Sequence, residues 1–203
     1  MTDSANDPCR NVATGDAHEL SLTRVYDAPP EKVYRAWTDP ALLAQWFVPQ
    51  PWRISKVDHE LRPGGRALVV MQDPDGNEYP NDGVFLEVVP NRKLVTTNAF
   101  TPGWQPAAPP PIKMIALVTL EPEGAGQAPY TPVPPPPGAP RPDPQPTKMI
   151  ATVPFDPEGA GQTRYPARAL HWNAADRATH EQMGFHEGGG ICADQLGARL
   201  ARI

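Results

Sequence analysis

Five histidines, two cysteines and 23 Asp and Glu residues are the groups with which this chain could do chemistry. The densest set is Asp58-His59-Glu60. On a strand, alternation sends the two carboxylates to one face and the imidazole to the other. Two carboxylates facing a cavity could share general acid–base work, whereas on a solvated face they would do no chemistry. His171, beside Trp172 at the end of an apolar run, could act as an acid or base, or hold a structural hydrogen bond. His180 and His186 lie six residues apart. That is about 600° of helical rotation, so they share no face. His180-Glu181 is not followed by the second histidine of a zinc-protease helix, and no metal site is expected. Cys192 falls on an apolar helical stripe with no cationic neighbour to activate it, so it reads as a small hydrophobe. No glycine run has the spacing of a nucleotide-binding loop after a strand. No catalytic residue is assigned.

Large apolar side chains offer a second kind of site. Trp46, Phe47, Met71, Phe85, Phe100, Trp104, Met114 and Met183 could together line an apolar pocket. Each taken singly reads better as plain core; it is as a set that they fit a pocket.

The elements that must position these residues are legible in order. Alternation predicts a first strand over 18–26. Asp27-Ala-Pro-Pro30 leads into a short helix over 31–38, and Asp39-Pro40 stops it and caps a second one. Strands are expected over 52–61, 66–72, 83–89 and 93–100, with Asp73-Pro-Asp-Gly-Asn77 as a hairpin turn. A further strand is expected at 112–120 and a last one at 163–172. Antiparallel neighbours on short turns build a curved sheet. Asn173, with Asp176 three residues on, can then cap a long C-terminal helix. Ala178, Phe185, Gly189, Cys192, Leu196, Leu200 and Ile203 form its apolar stripe. Gly188-Gly189-Gly190 sits inside that helix at a cost of about 1 kcal/mol per glycine relative to alanine. Close helix–sheet contact, a break in the helix, or room for a ligand would each explain it.

The length of 203 residues suits one domain with a sizeable core. A net charge of −5 leaves no basic footprint for nucleic acid. No apolar run is long enough to span a membrane, and residues 1–10 carry no apolar signal segment. Cys9 and Cys192 do not make a disulfide framework, so a cytoplasmic location is expected. Residues 1–17 read as a disordered tail, and 18–203 as one domain.

Proline is the outlier, at 29 residues, of which 16 fall within 102–146. This is a Pro-rich insertion, spanning about 102–162, and it contains a duplication. Residues 113–127 recur as 148–162, and 12 of the 18 positions from Lys113 to Tyr130 are identical. Two copies compete for one place in the sheet. The first is the better strand; the second carries Pro154, which would leave a ladder bond unmade. The loser would be an added strand, a flap, an interface element or a tolerated surface loop.

Three motifs carry a family resemblance: "LTRVYDAPPEKVYRAWTDPALLAQWFVP" from Leu22, "HELRPGG" from His59 and "RALHWNAADRATHEQMGFHEGGG" from Arg168. In this order they resemble the SRPBCC (START-like, helix-grip) superfamily, in the branch named for the C-terminal domain of the Hsp90 ATPase activator. The likeness covers roughly 18–121 and 163–203. That branch usually has Trp where this chain has Gly189. The resemblance implies an α+β helix-grip fold: a curved antiparallel sheet wrapped on a long C-terminal helix, with two short helices after the first strand. It also implies a cavity between sheet and helix. The apolar set above would line it, with Asp58, Glu60, His171 and Phe185 near it and Gly189 opening room. The expected function is binding of a lipid-like or aromatic hydrophobic small molecule, without a cofactor and without assigned catalysis. A polyketide cyclase/dehydratase- or hydrolase-like enzyme using the same cavity is the alternative. A co-chaperone docking on a chaperone ATPase is a further one. A homodimer stays open.

Overall fold

The first strand starts a sheet whose inner face carries the core. The structure, a computed structural model, describes residues 17–108, 112–122 and 161–203. The predicted tail up to residue 16, most of the Pro-rich insertion and residues 148–160 of the second repeat copy lie outside the described residues. Strand β1 (Glu19–Tyr26) pairs antiparallel with β11 (Thr163–His171), and β11 continues to β9 (Met114–Thr119), β6 (Lys93–Thr97) and β5 (Val84–Val89). The short β10 (Glu121–Pro122) also pairs with β11. A second sheet of β2 (Arg53–His59), β3 (Ala67–Gln72) and β4 (Glu78–Asn81) joins β5 through a bridge between Arg66 and Val84. β7 (Phe100–Thr101) and β8 (Gln105–Pro106) form a small hairpin. The first repeat copy therefore holds the place in the sheet, as β9. Strand β4 was not expected, because it is short, polar and carries Pro80.

Two short helices follow β1. α1 (Pro30–Thr38) begins on a proline, and Val33 and Ala36 are its buried residues. α2 (Pro40–Leu43) begins at Asp39, whose Oδ1 accepts from the backbone N–H of Ala41 at 2.9 Å and Leu42 at 3.3 Å. This meets two of the donors a helix start leaves unpaired.

The C-terminal helix differs in detail from its expected form. It is two helices, α3 (Ala174–Gln182) and α4 (Phe185–Leu200). Asn173 caps the first as expected: Oδ1 accepts from Asp176 N–H at 2.7 Å, and Nδ2 donates to the Asp176 carboxylate at 3.0 Å. The break falls at Gly184, with φ of 92°, and not at the glycine run. A left-handed residue ends a helix there, and glycine adopts it without a Cβ clash. The run 188–190 lies inside α4.

Helix α4 then lies on the inner face of the sheet. Leu196 and Leu200 join Tyr26, Val118, Leu120 and Tyr165 in the core, with Cys192 and Ile203 packed against it. Tyr26 donates from its hydroxyl to the Ala193 carbonyl at 2.9 Å, pinning helix to strand.

Candidate functional site

Alternation on the inner face sets the wall of a cavity. In β9, Met114, Ala116 and Val118 point inward, opposite Leu94 and Thr96 of β6 and Phe85 of β5. The second sheet adds His59, Ala67, Val69 and Asn81. The helical side supplies Trp37, Leu43 and Phe47. Together they line a cavity of about 150 Å³ that is partly open to solvent. A smaller pocket of about 40 Å³ adjoins it across Ala67, Asn81, Thr96 and Met114, with Asn98 on its far side. The lining is thus mostly aromatic and aliphatic, with an amide, a hydroxyl and an imidazole among it.

Helix α4 holds part of the aromatic lining in place. Gln195 Nε2 donates to the carbonyls of Trp46 at 2.8 Å and Val48 at 2.9 Å. Cys192 Sγ donates to the Phe47 carbonyl at 3.2 Å. These three contacts fix the segment after α2, so that Phe47 meets Trp37 edge-on at 5.5 Å. Burial pushes the Cys192 thiol up to about 11, so it stays protonated and inert near neutral pH.

The sequence-derived pocket set divides. Phe47, Phe85 and Met114 meet at the cavity. Trp46 stands behind the wall: it is buried, and its Nε1 donates to the Ala36 carbonyl at 3.0 Å. Met71 pairs in register with Ile54 and Tyr79, away from the lining. Phe100 and Trp104 meet edge-on at 6.1 Å on the β7–β8 hairpin, where half-exposed Trp104 covers Gly64. Met183 is exposed, at the α3–α4 break. Gly189 faces Leu22 of β1, outside the lining.

The Asp58-His59-Glu60 triplet splits as alternation requires, and the imidazole takes the inner face. Asp58 pairs with Arg66 at 3.4 Å and Glu60 pairs with Arg62. His59 lies edge-on to Phe85 at 5.4 Å and an interplanar angle of 86°. Its Nδ1 is buried without a hydrogen-bond partner, as is Trp37 Nε1. Burial lowers the His59 pKa, with Asp58 opposing the shift, so the ring is neutral at pH 7.

His171 forms a separate cluster. Its Nδ1 is 3.1 Å from the His18 carbonyl, and its Nε2 is 2.9 Å from His180 Nδ1. A carbonyl only accepts, so Nδ1 of His171 carries the proton, and His180 Nδ1–H donates to the lone pair of His171 Nε2. Phe185 packs edge-on to His180 at 5.1 Å. Burial, with the His171 ring as a smaller contribution, holds the His180 pKa down at about 4. Across the sheet His171 is in register with Met114, so the cluster sits beside the cavity and not in its lining. Among the described residues, no three His, Cys, Asp or Glu side chains are grouped to hold a metal.

His59, Asn81 and Thr96 are the polar lining residues that sequence reasoning left out. His59 was legible from alternation; Asn81 was hidden because its strand was not anticipated.

Comparison with known proteins follows this geometry. The family model described as "Activator of Hsp90 ATPase homolog 1-like protein" matches residues 27–131, just over half of the chain. The chain belongs to this family. It is thereby a member of the SRPBCC superfamily, and its sheet and C-terminal helices are the helix-grip arrangement. A crystal structure of a Nitrosomonas europaea protein is similar at 36% identity with a TM-score of 0.68, covering 92% of this chain and 96% of that one. A Mycobacterium smegmatis structure has 21% identity and a TM-score of 0.63, covering 93% of each chain. An Arthrobacter aurescens structure has 20% identity and a TM-score of 0.65, covering 92% of this chain and 88% of that one. The last two establish likeness of fold alone. No curated protein matches. Among the described residues, no helix is long and apolar enough to cross a membrane.

Proposed function

We propose that this family member binds a small hydrophobic molecule in the cavity between its sheet and helices. The single observation that carries the reading is the partly open cavity of about 150 Å³, walled mainly by apolar side chains with a few polar groups among them. Interiors normally pack without voids of that size, because each lost contact costs dispersion energy. A cavity kept open at that cost is accounted for by a ligand that fills it. The enzyme alternative has less support. Among the described residues, His59 is the titratable group in the lining, and the two neighbouring carboxylates are turned to arginines.

Native mass spectrometry on freshly purified protein, then on the same sample denatured, tests the reading. The expected result is a mass excess that leaves on denaturation and is absent from Ala116→Leu, whose larger side chain would occupy the space. Saturation at 100 times Kd should also stabilise the fold by about 2.7 kcal/mol. A clean unliganded mass, with no melting shift across a panel of small apolar compounds, would overturn the proposal.

A further inference from the structure

We infer that the cavity is built for a neutral, single-ring ligand bearing a hydroxyl group, with the ring between Trp37, Phe47 and Val118 and the hydroxyl on His59. This rests on the cavity reading above and narrows it to a ligand class.

Size comes first. An engineered protein cavity of about 150 Å³, lined by Leu, Ile and Phe, stays dry and takes up benzene. The cavity here has the same volume, about 150 Å³. One six-membered ring with a small substituent fills it. A long acyl chain would not fit within that space.

Charge comes second. Among the described residues, no lysine or arginine lines the cavity. A carboxylate entering it would lose its water with no cation to receive it, at a cost of several kcal/mol. Burial keeps His59 uncharged, so it does not supply that cation either.

The polar requirement comes third. His59, Asn81 and Thr96 all line the cavity, and His59 Nδ1 makes no hydrogen bond among the described residues. Ala67 ties these groups together: it is in register with His59 on β2, and its N–H bonds the Gly83 carbonyl just beyond Asn81. A purely apolar ligand would leave those groups unmatched. A neutral imidazole presents one N–H and one lone pair. A hydroxyl can donate or accept, so it matches His59 in either tautomer, which a ketone oxygen does not.

The test uses the full chain and an isosteric pair, toluene and phenol, with benzoate as the anion, followed by ligand-observed NMR at pH 7.5. The affinity ratio of phenol to toluene is compared between the natural protein and His59→Phe, which keeps the edge-on ring against Phe85. Taking the ratio cancels the different affinities of the two probes for water. A hydrogen bond of about 1.4 kcal/mol corresponds to a tenfold ratio. The expected result is a phenol-to-toluene ratio about tenfold lower in the variant, and benzoate the weakest of the three for the natural protein. His59→Leu gives the same comparison should the Phe variant fail to fold.

An unchanged ratio, or benzoate binding tightest, would overturn the ligand class while leaving the cavity as a binding site. Binding of a long-chain fluorescent fatty alcohol with none of the three probes would overturn the size argument alone. Failure of every probe, long and short, would overturn the cavity reading itself.

Discussion

Replacing Gly188, Gly189 and Gly190 together with alanine should stabilise the protein. All three lie inside α4, past its first three positions, where glycine costs about 0.8–1.0 kcal/mol relative to alanine. The surroundings decide whether that gain is collected. A Cβ on Gly188 would lie 4.0 Å from Pro49 Cγ, one on Gly189 3.7 Å from Leu22 Cδ2, and one on Gly190 3.5 Å from Arg24 Nη2. These are ordinary van der Waals distances, so no crowding offsets the helix term. The sum is about 2–3 kcal/mol. For a chain of this size, each kcal/mol moves Tm by about 2–4 °C, so the rise should be about 5–10 °C. Circular dichroism melts and urea unfolding measure it. Gly184→Ala is the control of opposite sign, since its φ of 92° strains any side chain; it should cost about 1–3 kcal/mol. Because the run faces Pro49 and β1 and not the lining, the triple variant should bind cavity ligands as before. A melting temperature at or below that of the natural protein, or a neutral Gly184→Ala, would refute the reasoning. Lost binding with gained stability would return the run to the site.

Two further outcomes follow from the structure. His180 is held neutral, at about 4 against an ordinary 6.5, so above pH 6.5 folded and unfolded states are alike in its proton count. As pH falls below 6.5 the unfolded chain takes the proton first, and stability drops until about pH 4. The full shift corresponds to about 3 kcal/mol, which partial exposure of the ring reduces to about 1–2 kcal/mol. Urea titrations from pH 7 to 4 should therefore show a shallower fall for His180→Phe than for the natural chain, and equal slopes would reject the assignment. A chain lacking residues 113–147 joins Ile112 to Lys148 and should still fold. Met114, Ala116 and Val118 face the cavity, and the second copy carries Met149, Ala151 and Val153 at the matching positions. Buried Leu117 becomes Thr152 and Thr119 becomes Pro154, so a loss of about 1–3 kcal/mol is expected by circular dichroism. A chain without sheet signal would show that the copies are not interchangeable.

Much of the site was within reach of the sequence, residue by residue. Alternation put His59 opposite Asp58 and Glu60, and the ion pairs to Arg66 and Arg62 follow the same split. Phe47, Phe85 and Met114 were singled out and line the cavity. Trp46 and Met183 were singled out on the same grounds and do not, one buried behind the wall and one exposed. Apolar character says that a side chain is drawn inward, but not which side of a wall it occupies.

Local chemistry determined the turns, the caps at Asp39 and Asn173, the strand faces and the preference for the first repeat copy as β9, because each depends on neighbours within a few residues in the chain. The family motifs determined the fold class in the same way, from short runs in order. Only the tertiary structure decided where the C-terminal helix breaks into α3 and α4, that Leu22 and not the cavity meets Gly189, and that Asn81 joins His59 in the lining of one cavity. Those outcomes depend on distances between residues far apart in the chain. Packing sets such distances, and no local pattern encodes them.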